Sequence, residues 1–398
     1  MDASAVLTEI ERCGNLRRLM SYGHQGKFVT AGGKTMLNLS SNDYLGLASD
    51  VGLYRDFIEE SGIGNVPPDG ATIPENLLFS SSSSRLLTGN FSVCEEVERV
   101  LAELYGKEAA LVFGSGYNMN SGIIPAITTS EDLILADKLV HASMIDGIRL
   151  SQAKTIRFPH QNLDRLEKLV DSNALSYDTI FILVESVYSM DGDVTDLTRL
   201  VSLKKRHSNV VLYVDEAHGF GVRGESGLGV AQEQNCIGDI DLLCGTFGKA
   251  LASTGGFTVC SSGMREFLVN RMRPFIFTTA MPPVNLMWTL HVLKRLPSMT
   301  DRRRHLAGIS ARLRMAAAEE GFTSSSESHI IPIMAGESAR ALKMAERFRE
   351  EGFFLLPVRP PTVPEGTSRI RISLTAAVSD EEADRLISSL RMMKSMVI

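Results

Sequence analysis

Between about residue 90 and residue 260 the chain repeats one pattern, a short apolar run followed by an amphipathic stretch, and that repetition restricts the folds open to it. The runs are AALVF, DLILAD, TIRF, TIFILVES, NVVLYVDEAH, DLLCGTF and GGFTVCS. Strands that are apolar throughout, without alternation, are buried on both faces, and helices between them supply the cover. The pattern predicts an α/β fold with a large, mainly parallel seven-stranded sheet. SVCEEVERVLAELYG precedes it as an amphipathic helix, with Ser92 and Glu95 spaced as a capping box and Gly106 as its stop. Further on, residues 283–320 read as mostly helical. HIIPIMAG, FFLLPVRP and SRIRISL then alternate with helices at SARALKMAERFREEG and SDEEADRLISSLRMM, as in a smaller α+β domain. With 398 residues, 44% of them apolar, the chain has material for both. The expected division is an N-terminal arm and small segment at 1–50, a large domain at 51–290 and a small C-terminal domain at 291–398. The arm carries a charged helix and a strand at TMLNLSS. Residues 61–84 read as loop, and SSSSSR within it as an ordered loop rather than a linker.

Charge and composition exclude several functions. A net charge of −6 offers no basic excess for phosphates, so nucleic acid is not an expected partner. No apolar run reaches membrane-spanning length, and MDASAVLTEIERCGNLRRL does not read as a signal peptide; no membrane partner is expected, and the cytoplasm is the expected compartment. The five cysteines are scattered and form no CxxC, which argues against a disulfide framework and a zinc site, so no metal is expected.

The strand ends carry the chemistry, as open α/β sheets bind ligands there. DLLCGTF delivers Lys249, in GTFGKALASTGG, to the space between two buried strands. A desolvated lysine favours its neutral amine, a nucleophile able to condense with an aldehyde as a Schiff base; a solvated lysine on a turn is the plainer alternative. VVLYVDEAHG ends an apolar strand in Asp215 and His218. A buried carboxylate there needs a partner, either a helix amide or the protonated ring nitrogen of a cofactor whose oxygen His218 would approach. In LADKLVHASMIDG, His141 stands at a helix start, where its flat ring suits stacking on a cofactor or a structural role. VFGSGYN aims the amides of Gly116 and Tyr117 at an anion site, though any tight strand–helix turn looks similar. Ser189, in VESVYSMDGD, follows a buried strand, and Thr246 offers a hydroxyl suited to phosphate.

These motifs, SSNDYLGL, SGYN, HAS, SMDGD, DEAHGFGV, TFGKA and RPPTVPEGTSRIRISLT, stand in the order found in the α-oxoamine synthases, and the chain resembles that family over nearly its whole length. The resemblance implies the aspartate-aminotransferase-like (type I) fold, pyridoxal 5'-phosphate as cofactor, and amino acid and acyl-CoA as substrates. It implies a homodimer with shared active sites, in which Asn42, Thr278 and Thr279 reach the partner's cofactor. By the same resemblance Lys249 carries the Schiff base, Asp215 pairs with the pyridine nitrogen, His141 stacks on the ring, and Ser189 and His218 flank its oxygen. Gly116, Tyr117 and Thr246 belong to the cofactor pocket. Arg371 takes the amino-acid carboxylate, and Thr362 and Arg17 fall at substrate-binding positions, Arg17 as candidate partner of a distal carboxylate. VRPPTVPEGTSRIRISLTAA is most similar to the branch that joins L-alanine to pimeloyl-CoA with loss of CO2 and CoA, a biotin-pathway acyl transfer. Ser84, smaller than the threonine of the glycine-using branch, leaves room for alanine's methyl. Other amino acid and acyl-CoA pairs, and aminotransferase or lyase chemistry on the same cofactor, are the alternatives. Three features depart from the family: SSSSSR replaces GSGGSR, VPPDGATIPENL reads as extra loop, and Phe220 stands where a small or hydroxylated residue is usual, which reshapes the local pocket.

Overall fold

The seven apolar runs form the seven strands of one sheet. A computed structural model of the chain describes residues 2–65 and 68–393; Val66 and Pro67 of the extra loop, and 394–398 at the end of the expected C-terminal domain, lie outside the described residues. The strands are β1 (Ala109–Phe113), β2 (Leu133–Asp137), β3 (Lys154–Phe158), β4 (Ile180–Glu185), β5 (Val210–Asp215), β6 (Leu242–Thr246) and β7 (Gly256–Cys260), in the order β1-β7-β6-β5-β4-β2-β3. Neighbours from β6 through β3 are parallel, while β7 runs antiparallel to both β1 and β6. β1, β2, β4 and β7 are buried at every residue, which is why their sequences show no alternation.

Helices enter where polar caps follow the strands. α1 (Ser92–Tyr105) precedes β1; α2 (Gly116–Ile127), α3 (Ala142–Leu150), α4 (Leu163–Asn173) and α5 (Leu197–Arg206) follow β1, β2, β3 and β4. Ser115, His141, Asn162 and Asp196 each accept a backbone N–H from the first turn of α2 to α5. α1 ends at Gly106 in the left-handed region, but its expected capping box is absent. Its N-cap is Phe91; the Ser92 hydroxyl donates to Glu75, and Glu95 accepts from Asn90 Nδ2 at 2.9 Å. Loop side chains thus outcompete the helix amides for both groups.

The chain folds into two compact units. The larger holds Val51–Tyr188 and Val194–Thr300, with the sheet, α1 to α5 and a helix at Pro283–Arg295. The smaller holds the described residues up to Asp50, Ser189–Asp193, and those from Asp301 on. It contains a three-stranded sheet of Ile330–Gly336, Ser368–Ser373 and Pro357–Val358, and a four-stranded sheet of Gly23–Gln25, Phe28–Ala31, Lys34–Asn38 and Phe353–Phe354. FFLLPVRP is therefore not one strand but two, donated to different sheets. The first two N-terminal strands also go beyond the sequence reading; they are short, and Gly26 turns between them at φ 58°. Ser189–Asp193 is tied into the smaller unit by Gly192. Its carbonyl accepts the Glu327 amide at 3.0 Å, and a Cβ on it would lie 2.1 Å from the Ile330 carbonyl oxygen. Among the described residues no helix is long and apolar enough to cross a membrane.

Candidate active site

Lys249 sits in the turn that carries the chain from β6 back into β7, half-buried, with Nζ 3.0 Å from His218 Nε2. The turn is closed by its own backbone: Phe247 N–H donates to Gly255 O, Ser253 N–H to Phe247 O, and Ala252 N–H to Lys249 O. The Thr246 hydroxyl donates to Gly255 O at 2.8 Å and accepts the Gly248 amide at 3.2 Å. Beneath lies an aromatic floor. Phe247 stacks on Phe257 with centroids 5.3 Å apart, and Phe220 meets Phe257 edge-on at 4.8 Å. Phe220 is 1% exposed, so its bulk fills the floor of the lysine turn. Gly245 has to be glycine because a Cβ there would lie 2.6 Å from the Phe257 ring.

Asp215 ends β5 at 4% exposure. Its Oδ1 accepts the Ala217 amide at 2.8 Å and its Oδ2 accepts Asn120 Nδ2 at 2.7 Å, so the carboxylate is both a local turn cap and a fixed anion. His141, the N-cap of α3, reaches the surface and receives the Ser143 amide on Nδ1 at 3.2 Å. The protein packed around it pushes its pKa below the ordinary 6.5; the Asp215 charge opposes this and Lys249 adds to it. These three titratable groups of the larger unit thus interact electrostatically.

The N-terminus of α2 closes another side. Ser115 takes the Asn118 amide on its side chain and the Met119 amide on its carbonyl, while the amides of Gly116 and Tyr117 precede the first helical bond. A Cβ on Gly116 would lie 3.3 Å from Thr246 Cβ, and one on Gly114 would meet nothing within 4 Å, so the approach is tight at the helix and open before it. Tyr117 donates to Asp146 and turns its ring edge to His141, centroids 6.3 Å apart. Elsewhere in this unit Ser84 bridges Thr279, and the Ser81 hydroxyl donates to Ala280 O at 2.8 Å; SSSSSR is an ordered loop laced to FTTAMPP. Ser82 pays for the missing glycine with φ 49°. Thr278 is half-buried and Thr279 exposed.

The smaller unit holds a separate cluster. Arg371 Nε donates to the Ser189 carbonyl at 2.6 Å, and its terminal nitrogens reach Asn42 Oδ1 at 3.2 and 3.3 Å and the Tyr44 hydroxyl at 3.2 Å. Tyr44 in turn donates to Asn42 at 3.0 Å. All three guanidinium nitrogens are thereby engaged. Arg17 lies beyond the first helix, Ala3–Arg12, and donates to the Thr362 hydroxyl at 2.6 Å.

Sequence reasoning missed the buried partners: Asn120, Tyr213, Ser143 and two glutamates. Glu185 is the register neighbour of Asp215, and its Oε1 has no hydrogen-bond partner among the described residues. Burial, with the Asp215 charge adding, pushes its carboxyl well above the ordinary range. Glu216 accepts the Ser186 hydroxyl and the Val230 and Ala231 amides, yet burial pushes it up to about 7. The signal available was a polar residue inside an apolar helix or strand.

The family model for class I and II aminotransferases matches residues 34–390. The chain belongs to that family. It is a pyridoxal-phosphate enzyme of the α-oxoamine synthase branch, an acyltransferase, with the type I fold expected from its motifs. A Glaesserella parasuis protein provisionally named 8-amino-7-oxononanoate synthase is 48% identical over 96% of this chain and 98% of its own. A Neisseria meningitidis protein of the same provisional name is 50% identical over 90% and 92%. Among solved structures, Sphingomonas wittichii serine palmitoyltransferase is 28% identical with a TM-score of 0.86, covering 99% of this enzyme and 97% of that chain. An 8-amino-7-oxononanoate synthase from Francisella tularensis is 25% identical with a TM-score of 0.73, covering 90% and 98%.

Proposed function

We propose that this enzyme condenses L-alanine with pimeloyl-CoA, releasing CO2 and CoA and forming 8-amino-7-oxononanoate for biotin synthesis, as a cytoplasmic homodimer. The observation that carries the reading is the group gathered at the ends of β5 and β6, a lysine amine against His218 beside a doubly pinned, buried Asp215. That donor set fits pyridoxal phosphate. Lys249 would bind its aldehyde, Asp215 its ring nitrogen, His141 its face, Ser189 and His218 its ring oxygen, and the Gly116 and Tyr117 amides with Thr246 its phosphate. Bound there, the cofactor supplies an electron sink for the amino acid's α-carbon.

The remaining work falls to the chain. Lys249 Nζ holds or takes the α-proton, and His218 Nε2 lies 3.0 Å from it, within hydrogen-bond reach. Arg371, fixed by Asn42, Tyr44 and the Ser189 carbonyl, is assigned to the amino-acid carboxylate, for which a planar bidentate cation is suited and which would share the terminal nitrogens with Asn42. Arg17 with Thr362 is assigned to the far carboxylate of the acyl chain, and Ser84 to the space for alanine's methyl. Relatives near 50% identity favour alanine and pimeloyl-CoA over serine and palmitoyl-CoA, the pair suggested by the 28% structural neighbour.

The test incubates purified enzyme with L-alanine, glycine or L-serine against pimeloyl-CoA, an uncharged acyl-CoA of similar length, and palmitoyl-CoA, reading free CoA and product mass. Alanine with pimeloyl-CoA is expected to be the most efficient pair, with discrimination against glycine only partial, as one methyl is worth about 1–3 kcal/mol. Preference for the uncharged chain would remove the biotin-pathway reading, and turnover without CoA release would remove acyl transfer altogether.

A further inference from the structure

Two buried side chains, Asn120 and Ser143, link Asp215 to His141, a third, Tyr213, bonds Asn120 from the side, and none of the three belongs to the site assigned above. Asn120, 2% exposed, lies one turn into α2. Its Oδ1 accepts the hydroxyl of Tyr213 at 2.6 Å, and its Nδ2 lies 2.7 Å from Asp215 Oδ2 and 3.0 Å from Ser143 Oγ. The amide can take only one orientation, because a flipped carboxamide would set its oxygen against the Asp215 carboxylate. Both Nδ2 hydrogens are then spent, one on Asp215 and one on Ser143.

The direction propagates. Ser143 Oγ accepts from Asn120, so its own proton is free to donate to His141 Nδ1, 2.8 Å away. The Ser143 backbone N–H reaches the same Nδ1 at 3.2 Å. Two donors converge on one ring nitrogen. That nitrogen carries a lone pair, which places the proton of the neutral imidazole on Nε2. The depressed His141 pKa favours that neutral form. The frame supports this link at both ends. Tyr213 stands two residues before Asp215 on β5, on the same face, so one strand holds both the residue that orients Asn120 and the one that Asn120 grips. Gly147, one turn after Ser143, lets α3 press on α2: a Cβ there would lie 2.6 Å from the Asn120 carbonyl oxygen.

We propose that Asn120 is a positioning residue for both cofactor contacts, holding the Asp215 carboxylate and, through Ser143, fixing His141 as the tautomer protonated on Nε2. Resting on the cofactor roles given to Asp215 and His141, the inference makes one amide the link between them. Loss of Asn120 frees an edge of Asp215 and unlocks the Ser143 hydroxyl. Loss of the Ser143 hydroxyl alone disturbs only the histidine.

The test combines ring nitrogen NMR of the ¹⁵N-histidine-labelled holoenzyme, with His141 assigned by His141→Gln, and cofactor titration followed by visible absorbance. Wild type is expected to show an acceptor-type Nδ1 and a donor-type Nε2 at His141. Asn120→Ala should mix the tautomers and weaken cofactor binding about ten- to a hundred-fold, as for a lost hydrogen bond to a charged group. Ser143→Ala should mix the tautomers with cofactor affinity changed much less, and Ser143→Thr should restore the wild-type ring signals. A wild-type His141 protonated on Nδ1 overturns the proposal whether or not the variants fold. So does a folded Asn120→Ala with wild-type ring signals and affinity. Asp215→Asn separates the two levels. If it binds cofactor as wild type does, the cofactor role given to Asp215 fails; if it binds weakly while Asn120→Ala binds normally, only the role of Asn120 fails.

Discussion

Lys249 sets its amine against His218, and Lys249→Ala is expected to abolish CoA release and the visible absorbance of the bound cofactor. Asp215→Asn should keep some cofactor and lose orders of magnitude in rate, checked by the same CoA assay. Glu216 belongs to stability rather than chemistry. Its folded pKa of about 7 stands above the ordinary 4.5, because burial outweighs three hydrogen bonds. The folded state therefore holds this proton more tightly than the unfolded chain. That stabilisation is complete below pH 4.5 and lost as pH rises through 7, a change of roughly 3 kcal/mol at most. Glu216→Gln cannot titrate, so its unfolding free energy should vary less across that window than wild type's; parallel curves from denaturant melts would refute the assignment. Lys249, Asp215, His141 and Arg371 were legible in the sequence because each stands in a short motif after a strand or within one. Asn120 was not. Its partners are 23, 93 and 95 residues away, so the one local signal, a polar residue in an apolar helix, does not say what it binds.

All seven strands of the sheet, and its mainly parallel character, could be read from unalternating apolar runs, but which strand breaks the pattern could not be read from burial alone. The exception was available. Only a turn separates Thr246 from Gly256, too short for the crossover that a parallel pair requires, so β7 had to run antiparallel to β6. The failed capping box has a similar moral: Ser92 and Glu95 have the spacing, and loop residues the sequence cannot bring near take both side chains. At this scale the lysine turn depends on its floor. Gly245→Ala would drive a methyl into Phe257, which is held between Phe247 and Phe220. The expected cost is about 1–3 kcal/mol, read as a lowered melting temperature, with reduced turnover because the displaced strand leads into the turn that carries Lys249. An unchanged melting temperature would mean that the aromatic floor is looser than described.

For the whole molecule, the proposal of shared sites in a homodimer makes a quantitative demand. Mixing Lys249→Ala with a Thr278→Ala and Thr279→Ala double variant, under conditions that exchange subunits, should return about a quarter of wild-type activity, since half the dimers are hybrids with one intact site each. Absence of recovery, with exchange verified by mass, would assign each site to one chain. Within a chain, the small unit presents a different problem. Ser189–Asp193 is made early, flanked on both sides by residues of the large unit, yet Gly192 faces Ile330, and Arg369 pairs with Asp191. A ribosome releases those five residues long before it makes their partners. The large unit can thus be well advanced while this loop still waits, and the small unit can close only once the C-terminal strands emerge. A chain stopped before residue 330 would leave Asp191 without Arg369 and Gly192 without Ile330.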